Sequence, residues 1–262
     1  MRTIFSNIIA IYRKELQSYF ASPFAYVIAG IFWLLSGGLF LRILQDVQSF
    51  VALNDQVGGG RPVDVPYEVL VAFLGALAVL SLFLLPMLSM GLYTEERKLG
   101  TLELLATSPL TNWSVALGKL LGVLTFFLTM MLPLLVYEAI AFATADPPLS
   151  WALVALGHVG LLLLASAILS LGMFISTLTS STILAAILTF ALMAMLLLID
   201  WFTGNVTGLA GDVLGHLSLL QHYTDLARGI FEPSSLVLLL SYTVLGLFLT
   251  AQSIDVFRYQ RS

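Results

Sequence analysis

Apolar residues run in long stretches along this chain, separated by short polar breaks. Phe24–Leu44, Val69–Leu92, Val115–Phe142, Trp151–Ile175, Thr182–Phe202 and Leu236–Ile254 are each long and nearly free of charge. A helix needs about 20 apolar residues to cross the hydrocarbon layer of a bilayer. The pattern predicts six transmembrane helices and an all-α integral membrane protein. Ile4 to Phe20 differs. Its apolar positions Ile4, Ile8, Ile11, Tyr12 and Tyr19 recur at spacings of three and four, but Arg13, Lys14, Glu15 and Gln17 interrupt them. That stretch is too charged to span. It reads as a helix lying in the membrane interface, or as a short solvated one.

The breaks have their own chemistry. Ser22 suits a helix N-cap and Pro23 the first helical position. Arg42 ends the first span and can reach outward to the interface. Gln45–Glu68 is polar, carries Gly58, Gly59, Gly60, Pro62 and Pro66, and is expected to be a flexible exposed loop. The triple glycine lacks a following Lys-Ser/Thr and a preceding strand, so it is not a phosphate loop. Pro86 and Pro133 fall inside the second and third spans, where proline bends a helix. Asp146-Pro147-Pro148 predicts a tight turn, Ser176–Ser181 a short polar turn, and Trp201 an interfacial anchor. Residues 203–233 are half apolar, too polar to span and too apolar for a plain loop. They read as a pair of short re-entrant or interfacial helices, buried by protein where they enter the membrane.

Composition sharpens this picture. Hydrophobic residues make up 59% of the 262 and charged residues only 10%. Soluble domains carry about 25% charged residues. The net charge of −4 gives no footprint for nucleic acid, and the lack of cysteine removes disulfides and thiolate chemistry. Arg13, Lys14 and Glu15 interrupt what would be the apolar part of a cleaved signal peptide. With six spans, Arg2, Arg13, Lys14, Arg97, Lys98, Lys119, Arg258 and Arg261 fall on the side of the termini. Arg42, Arg61 and Arg228 fall on the other. The positive-inside rule then predicts that the termini and the 93–114 segment are cytoplasmic. No Gly-x-x-x-x-Gly-Lys-Ser/Thr occurs, so any ATP-driven activity needs an ATPase on another chain.

The densest polar stretch is Tyr93–Leu110, between the second and third spans. Glu95, Glu96, Arg97 and Lys98 predict a charged helix end past the membrane face. Gly100 lets the backbone turn. Thr101–Thr107 then reads as a short amphipathic helix, stopped by Ser108-Pro109. Thr111 or Asn112 caps the next helix. Such a helix can dock in a partner's groove, its charges fixing register. A solvated loop that only enforces topology would need no more than Arg97 and Lys98.

The order Glu95-Glu96-Arg97-x-x-Gly100-Thr101-Leu102-Glu103-Leu104-Leu105-x-Thr107-x-Pro109, between spans two and three of six, resembles permease subunits of ABC exporters of the type V (ABC-2) class. Tyr12-Arg13-Lys14-Glu15-Leu16 followed by Ser22-Pro23 is similar to that class too, as is the half-polar segment before the sixth span. The small six-span form looks most like permeases of gliding-motility and multidrug-type exporters. The resemblance implies that residues 4–20 form a membrane-lying elbow helix. It makes 93–114 a coupling loop that meets separate ATPase subunits, two per complex, through Glu95, Glu96, Arg97, Gly100, Thr101, Leu102, Glu103, Leu104, Thr107 and Pro109. It further implies a second permease copy or a sister permease. No cofactor is expected on this chain, ATP and Mg being held by the ATPase.

Three ionisable residues lie within the spans, where they are costly. Glu138, His158 and Asp200 are placed at similar depth towards the outer end. Either they line an outer gate, or they pair at headgroup depth and hold helices together. A metal site from His158, His216, His222 and the outer acids is weakened by the histidines' lack of ligand spacing. Ser166 and Ser170 lack a base at matched depth for an intramembrane hydrolase. Gly157, Gly160, Ala165, Ser166, Ala167, Ser170 and Gly172 allow close helix approach, within one chain or at a dimer seam. Two other readings stand beside the exporter: an ion- or proton-coupled secondary transporter using Glu138, His158 and Asp200, and a non-transporting anchor for a cytoplasmic partner.

Overall fold

The computed structural model describes residues 2–56, 63–101, 111–143, 145, 148–203 and 215–259. Among these there is no strand. In chain order the helices are α1 (Arg2–Ala21), α2 (Pro23–Gln56), α3 (Val65–Ser89), α4 (Gly91–Lys98), α5 (Asn112–Phe142), α6 (Trp151–Leu178), α7 (Thr182–Thr203), α8 (Leu219–Ala227) and α9 (Pro233–Tyr259). Six of the described helical stretches are long and apolar enough to cross a membrane: α2, α3 running on into α4, α5, α6, α7 and α9.

Local chemistry sets several starts. Asp64 Oδ1 accepts the Tyr67 amide at 3.2 Å ahead of α3, with Pro66 in the first turn. Thr111 Oγ1 accepts the Ser114 amide at 3.3 Å ahead of α5, as expected of a threonine there. Ser218 does the same for Gln221 at 3.0 Å ahead of α8.

Several helices run beyond the bounds read from the sequence, among them the last, which spans Pro233–Tyr259, and two of these ends have a clear local cause. The first span continues helically to Gln56, through the first part of the segment expected to be a flexible loop. At 34 residues α2 is about 50 Å long, well beyond the ~30 Å hydrocarbon layer. Polarity at Gln45 therefore marks the exit from the apolar layer and not the end of the helix. No glycine or proline intervenes before Gly58, and Arg42 pairs with Asp46 one turn on at 3.1 Å. Gly58, Gly59, Gly60, Arg61 and Pro62 lie outside the described residues. Likewise α6 runs to Leu178, beyond the expected break at Ser176. The Ser176 and Thr177 hydroxyls return to the carbonyls of Met173 and Phe174, each at 2.6 Å, so neither residue breaks the helix.

α6 is the centre of the bundle. It packs most extensively on α9 and also on α3, α5, α7 and α8. Its small residues serve packing within this chain. A Cβ built at Gly157 would lie 2.3 Å from Leu74 Cδ1, and one at Gly172 would lie 2.1 Å from Ser89 Oγ. On α9, a Cβ at Gly246 would lie 2.6 Å from the Ser170 backbone carbon. Ser166 and Thr243 share a hydrogen bond of 2.8 Å beside that crossing. In lipid, close backbone approach and interhelical hydrogen bonds supply the association that hydrophobicity supplies in water.

Of the pair of short helices expected before the last span, α8 is described; residues 204–214 lie outside the described set. Leu219, Tyr223, Leu226 and Ala227 form its buried face, and the Tyr223 hydroxyl donates to the Leu74 carbonyl at 2.8 Å. Burial pushes the Tyr223 phenol far up, with the negative field of Glu138 adding to it. Just past the end of α8, Gly229 has a φ of +86°, in the left-handed region.

Candidate functional site

The charged stretch after the second span forms α4, an eight-residue helix that buries Leu92, Tyr93 and Thr94. It ends as Gly100 enters the left-handed region at φ +69°, while Thr101 N donates to Glu96 O at 2.9 Å. Leu102, Glu103, Leu104, Thr107 and Pro109 lie outside the described residues. Glu95, Glu96, Arg97, Gly100 and Thr101 lie within them.

A buried lysine organises this end of the bundle. Lys119 of α5 is 4% exposed. Its Nζ lies 3.2 Å from Glu15 Oε2 of α1 and 3.0 Å from Glu96 Oε1 of α4. It also donates to the Leu92 carbonyl at 2.7 Å and stands 4.9 Å from the Tyr93 ring centroid. One ammonium therefore ties three elements together. Lys14 reaches Glu96 only at 3.9 Å from an exposed position, a contact of small worth.

Glycines allow α1 to lie this close. A Cβ at Gly118 would sit 2.8 Å from Ile11 Cγ2 and 3.1 Å from the Ile8 carbonyl oxygen. One at Gly122 would sit 2.8 Å from Glu15 Cβ. Gly118-x-x-x-Gly122 thus forms a flat track for α1, as small-xxx-small patterns do between membrane helices. Further along, Tyr19 stacks on Phe126 at 5.3 Å and donates to the Leu88 carbonyl at 2.7 Å. Burial, then the nearby Glu15 and Glu95 carboxylates, push the Tyr19 phenol well above its usual range.

Other contacts extend the tie across the bundle. Arg97 donates to the Thr177 carbonyl of α6. The Thr177 and Ser253 hydroxyls share a hydrogen bond of 2.8 Å between α6 and α9, and Asn112 of α5 donates to Asp255 of α9 at 2.6 Å. Glu96 and Arg97, singled out in the sequence, thus sit in one network with α1, α5, α6 and α9.

At the other end of the bundle, Glu138 and His158 come together. Both are buried, with His158 Nε2 at 3.5 Å from Glu138 Oε1 and His158 Nδ1 at 2.9 Å from the Val154 carbonyl. Neither Glu138 oxygen has a hydrogen-bond partner among the described residues. The backbone of Asp200 lies in the last turn of α7; its side chain is outside the described set.

Sequence reasoning missed Lys119, Glu15, Gly118 and Gly122 as a unit. Lys119 entered only as a topological charge. The readable signal was a lysine inside an apolar helix, flanked by two glycines four apart.

Six long apolar helices define a multi-pass integral membrane protein, with a buried polar hub at the bundle end that carries α4. Residues 61–210 match the family model described as ABC-2 family transporter protein, and the chain belongs to that family of membrane transport components. The match covers α3 to α7, the polar stretch included. No curated protein matches the chain. Permeases of this family work with ATPase subunits.

Proposed function

We propose that the chain is the membrane-spanning subunit of an ATP-driven exporter, coupled to ATPases on other chains through residues 93–114. The observation that carries this is the Lys119 hub. It joins the entry helix of the coupling loop to α1 and α5 by short charge-assisted contacts. A push on the loop reaches the bundle through buried contacts and not through a slack linker. α1 acts as the elbow helix, the loop faces the cytoplasm, and ATP and Mg stay on the ATPase. The permease pairs with a second copy or a sister subunit. The substrate is amphipathic, lipid-like or a surface polymer, since the spans offer few buried charges for a small ion.

The test is gentle detergent purification followed by mass spectrometry of the proteins that accompany the chain. The wild type is expected to bring a stoichiometric ATPase. Glu96→Ala and Gly100→Pro are expected to lose it. The proline cannot adopt the φ of +69° that Gly100 holds, and it removes an amide that donates to Arg97 O at 3.2 Å. A solitary wild-type protein, with both variants unchanged, would overturn the reading.

Glu138 and His158 are assigned to the outer gate, with Asp200 as its third member. A buried carboxyl group that finds no hydrogen-bond partner among the described residues is costly to hold in a purely structural role. Glu138→Gln keeps the shape and removes the ionisable carboxyl group. It is expected to reduce substrate-stimulated ATPase activity of the complex roughly tenfold, an effect of about 1.4 kcal/mol. Unchanged activity and unchanged transport would leave the pair as a helix-to-helix tie only. Proton-driven transport that needs Glu138 and proceeds without ATP would favour the secondary-transporter reading instead.

A further inference from the structure

Between α1 and the junction of α3 with α4 lies a cleft of about 310 Å³. Its two ends differ in chemistry. Glu15, Ser18, Ser22 and Glu95 form a polar lip, while Phe24, Met87 and Leu88 form an apolar wall. The wall belongs to the first turn of α2 and the last turns of α3, both helices that cross the membrane. Phe24 is 44% exposed, so the apolar wall is open to the surroundings. A second hollow of about 470 Å³ shares Glu15, Ser18, Gly91 and Glu95 with the first and continues it towards Lys119.

Charge in this region does not cancel. Among the described residues that line it, Glu15, Glu95 and Glu96 stand with Lys14 and Lys119, which leaves one negative charge in excess. Lys119 serves Glu15 and Glu96. The Glu95 carboxylate, on an exposed side chain, makes no hydrogen bond or ion pair with the described residues, though the Glu95 carbonyl accepts the Leu99 amide at 3.0 Å. Its Oε1 folds back to within 3.8 Å of the position a Cβ would take on Gly91, at the rim of the cleft. The Ser18 hydroxyl on α1 and the Ser22 hydroxyl just past its end make no hydrogen bond with the described residues either.

We infer that this cleft binds a membrane lipid whose headgroup carries a primary ammonium, such as a phosphatidylethanolamine. The ammonium donates to Glu95, a charge-assisted hydrogen bond that a trimethylammonium cannot make and an anionic headgroup is repelled from. Ser18 and Ser22 donate to the phosphate. The first part of an acyl chain lies against Phe24, Met87 and Leu88, and the rest continues into the bilayer. A basic side chain from a protein partner would satisfy Glu95 but leave the apolar wall uncovered. The site does not depend on the exporter reading, and α1 would be fixed to the membrane through it.

The full chain, delipidated in detergent, is titrated with phosphatidylethanolamine, phosphatidylcholine and phosphatidylglycerol of one acyl composition. Retention is read by native mass spectrometry, with no ATPase present. Phosphatidylethanolamine is expected to be retained about fivefold over the other two, the scale of one partly exposed charge-assisted hydrogen bond. Glu95→Gln is expected to reduce its retention to theirs. Gly91→Leu keeps the charge but fills the rim, and is expected to abolish retention, its melting midpoint showing that the fold survives. Equal retention of the three lipids, or a preference unaltered in both variants, would overturn the site. So would loss of the bound lipid whenever a basic soluble partner is added, which would assign the cleft to that partner. Because the readout needs no ATPase, its failure and that of the exporter reading are separately visible.

Discussion

Replacing Lys119 by methionine is expected to destabilise the fold by about 3–5 kcal/mol, the cost of removing one partner from a buried ion pair. The ammonium is nearly enclosed, and Glu15 and Glu96 both face the same small volume around it. Without it, two carboxylates confront each other and the Leu92 carbonyl loses its 2.7 Å donor. For a chain of this size the midpoint of thermal unfolding is expected to fall by roughly 10 °C or more. Intrinsic tryptophan fluorescence in detergent reads it. The triple variant Lys119→Met, Glu15→Gln, Glu96→Gln removes the charges together and is expected to recover more than half of the loss, since replacing all members of a buried cluster costs far less than orphaning some. Equal midpoints for the single and the triple variant would show that the hub acts by packing alone. Beyond stability, the single variant is expected to uncouple ATP hydrolysis from transport in the assembled complex, because α4 would no longer be held to α1.

The second large effect is expected from Gly118→Leu combined with Gly122→Leu. Each Cβ would arrive 2.8 Å from a side-chain carbon of α1, and at Gly118 the Ile8 carbonyl oxygen follows at 3.1 Å. Overpacking costs about 1–3 kcal/mol per site when the neighbour cannot yield. Here α1 can yield by lifting off α5 as a body, which would break the Tyr19–Phe126 stack and the Glu15–Lys119 contact together. The chain has no cysteine, so spin labels at Gln17→Cys and Leu128→Cys report the separation of α1 and α5 without background. The double leucine variant is expected to lengthen and broaden that distance. An unchanged distribution with an unchanged melting midpoint would show that α1 is not seated on this track.

The spans themselves were legible because the bilayer imposes one strong rule. A backbone in hydrocarbon must satisfy its own hydrogen bonds, so long apolar stretches become helices. The same rule misplaced the end of α2. Hydropathy reports where a helix leaves the apolar layer, whereas helix ends are set by glycine, proline and caps. Arg42 to Gln56 contains no such breaker and continues as helix into the polar region. Ser176 and Thr177 misled in the same way, since their hydroxyls bond back to the helix and do not end it.

The candidate sites were legible in kind more than in arrangement. Glu138 and His158 could be matched in depth by counting turns, and they do meet. Glu96 stood out in its charged stretch, but its partner Lys119 lies 23 residues on and in another helix. Nothing in a periodicity says which of several polar residues at one depth will face each other, because that depends on how each helix is rotated about its axis.

Sequence alone therefore determined the class, the number of spans and the family, through the length of apolar runs and the Glu95–Pro109 order. Tertiary structure decided that α1 lies on the Gly118–Gly122 track, that the small residues of α6 pack within this chain, and that one buried lysine joins α1, α4 and α5. The physical reason is one of range. Hydropathy and helix-breaking act within a single segment and can be read along it. Close approach and ion pairing act between segments, and only the packed bundle fixes which side chains share that space.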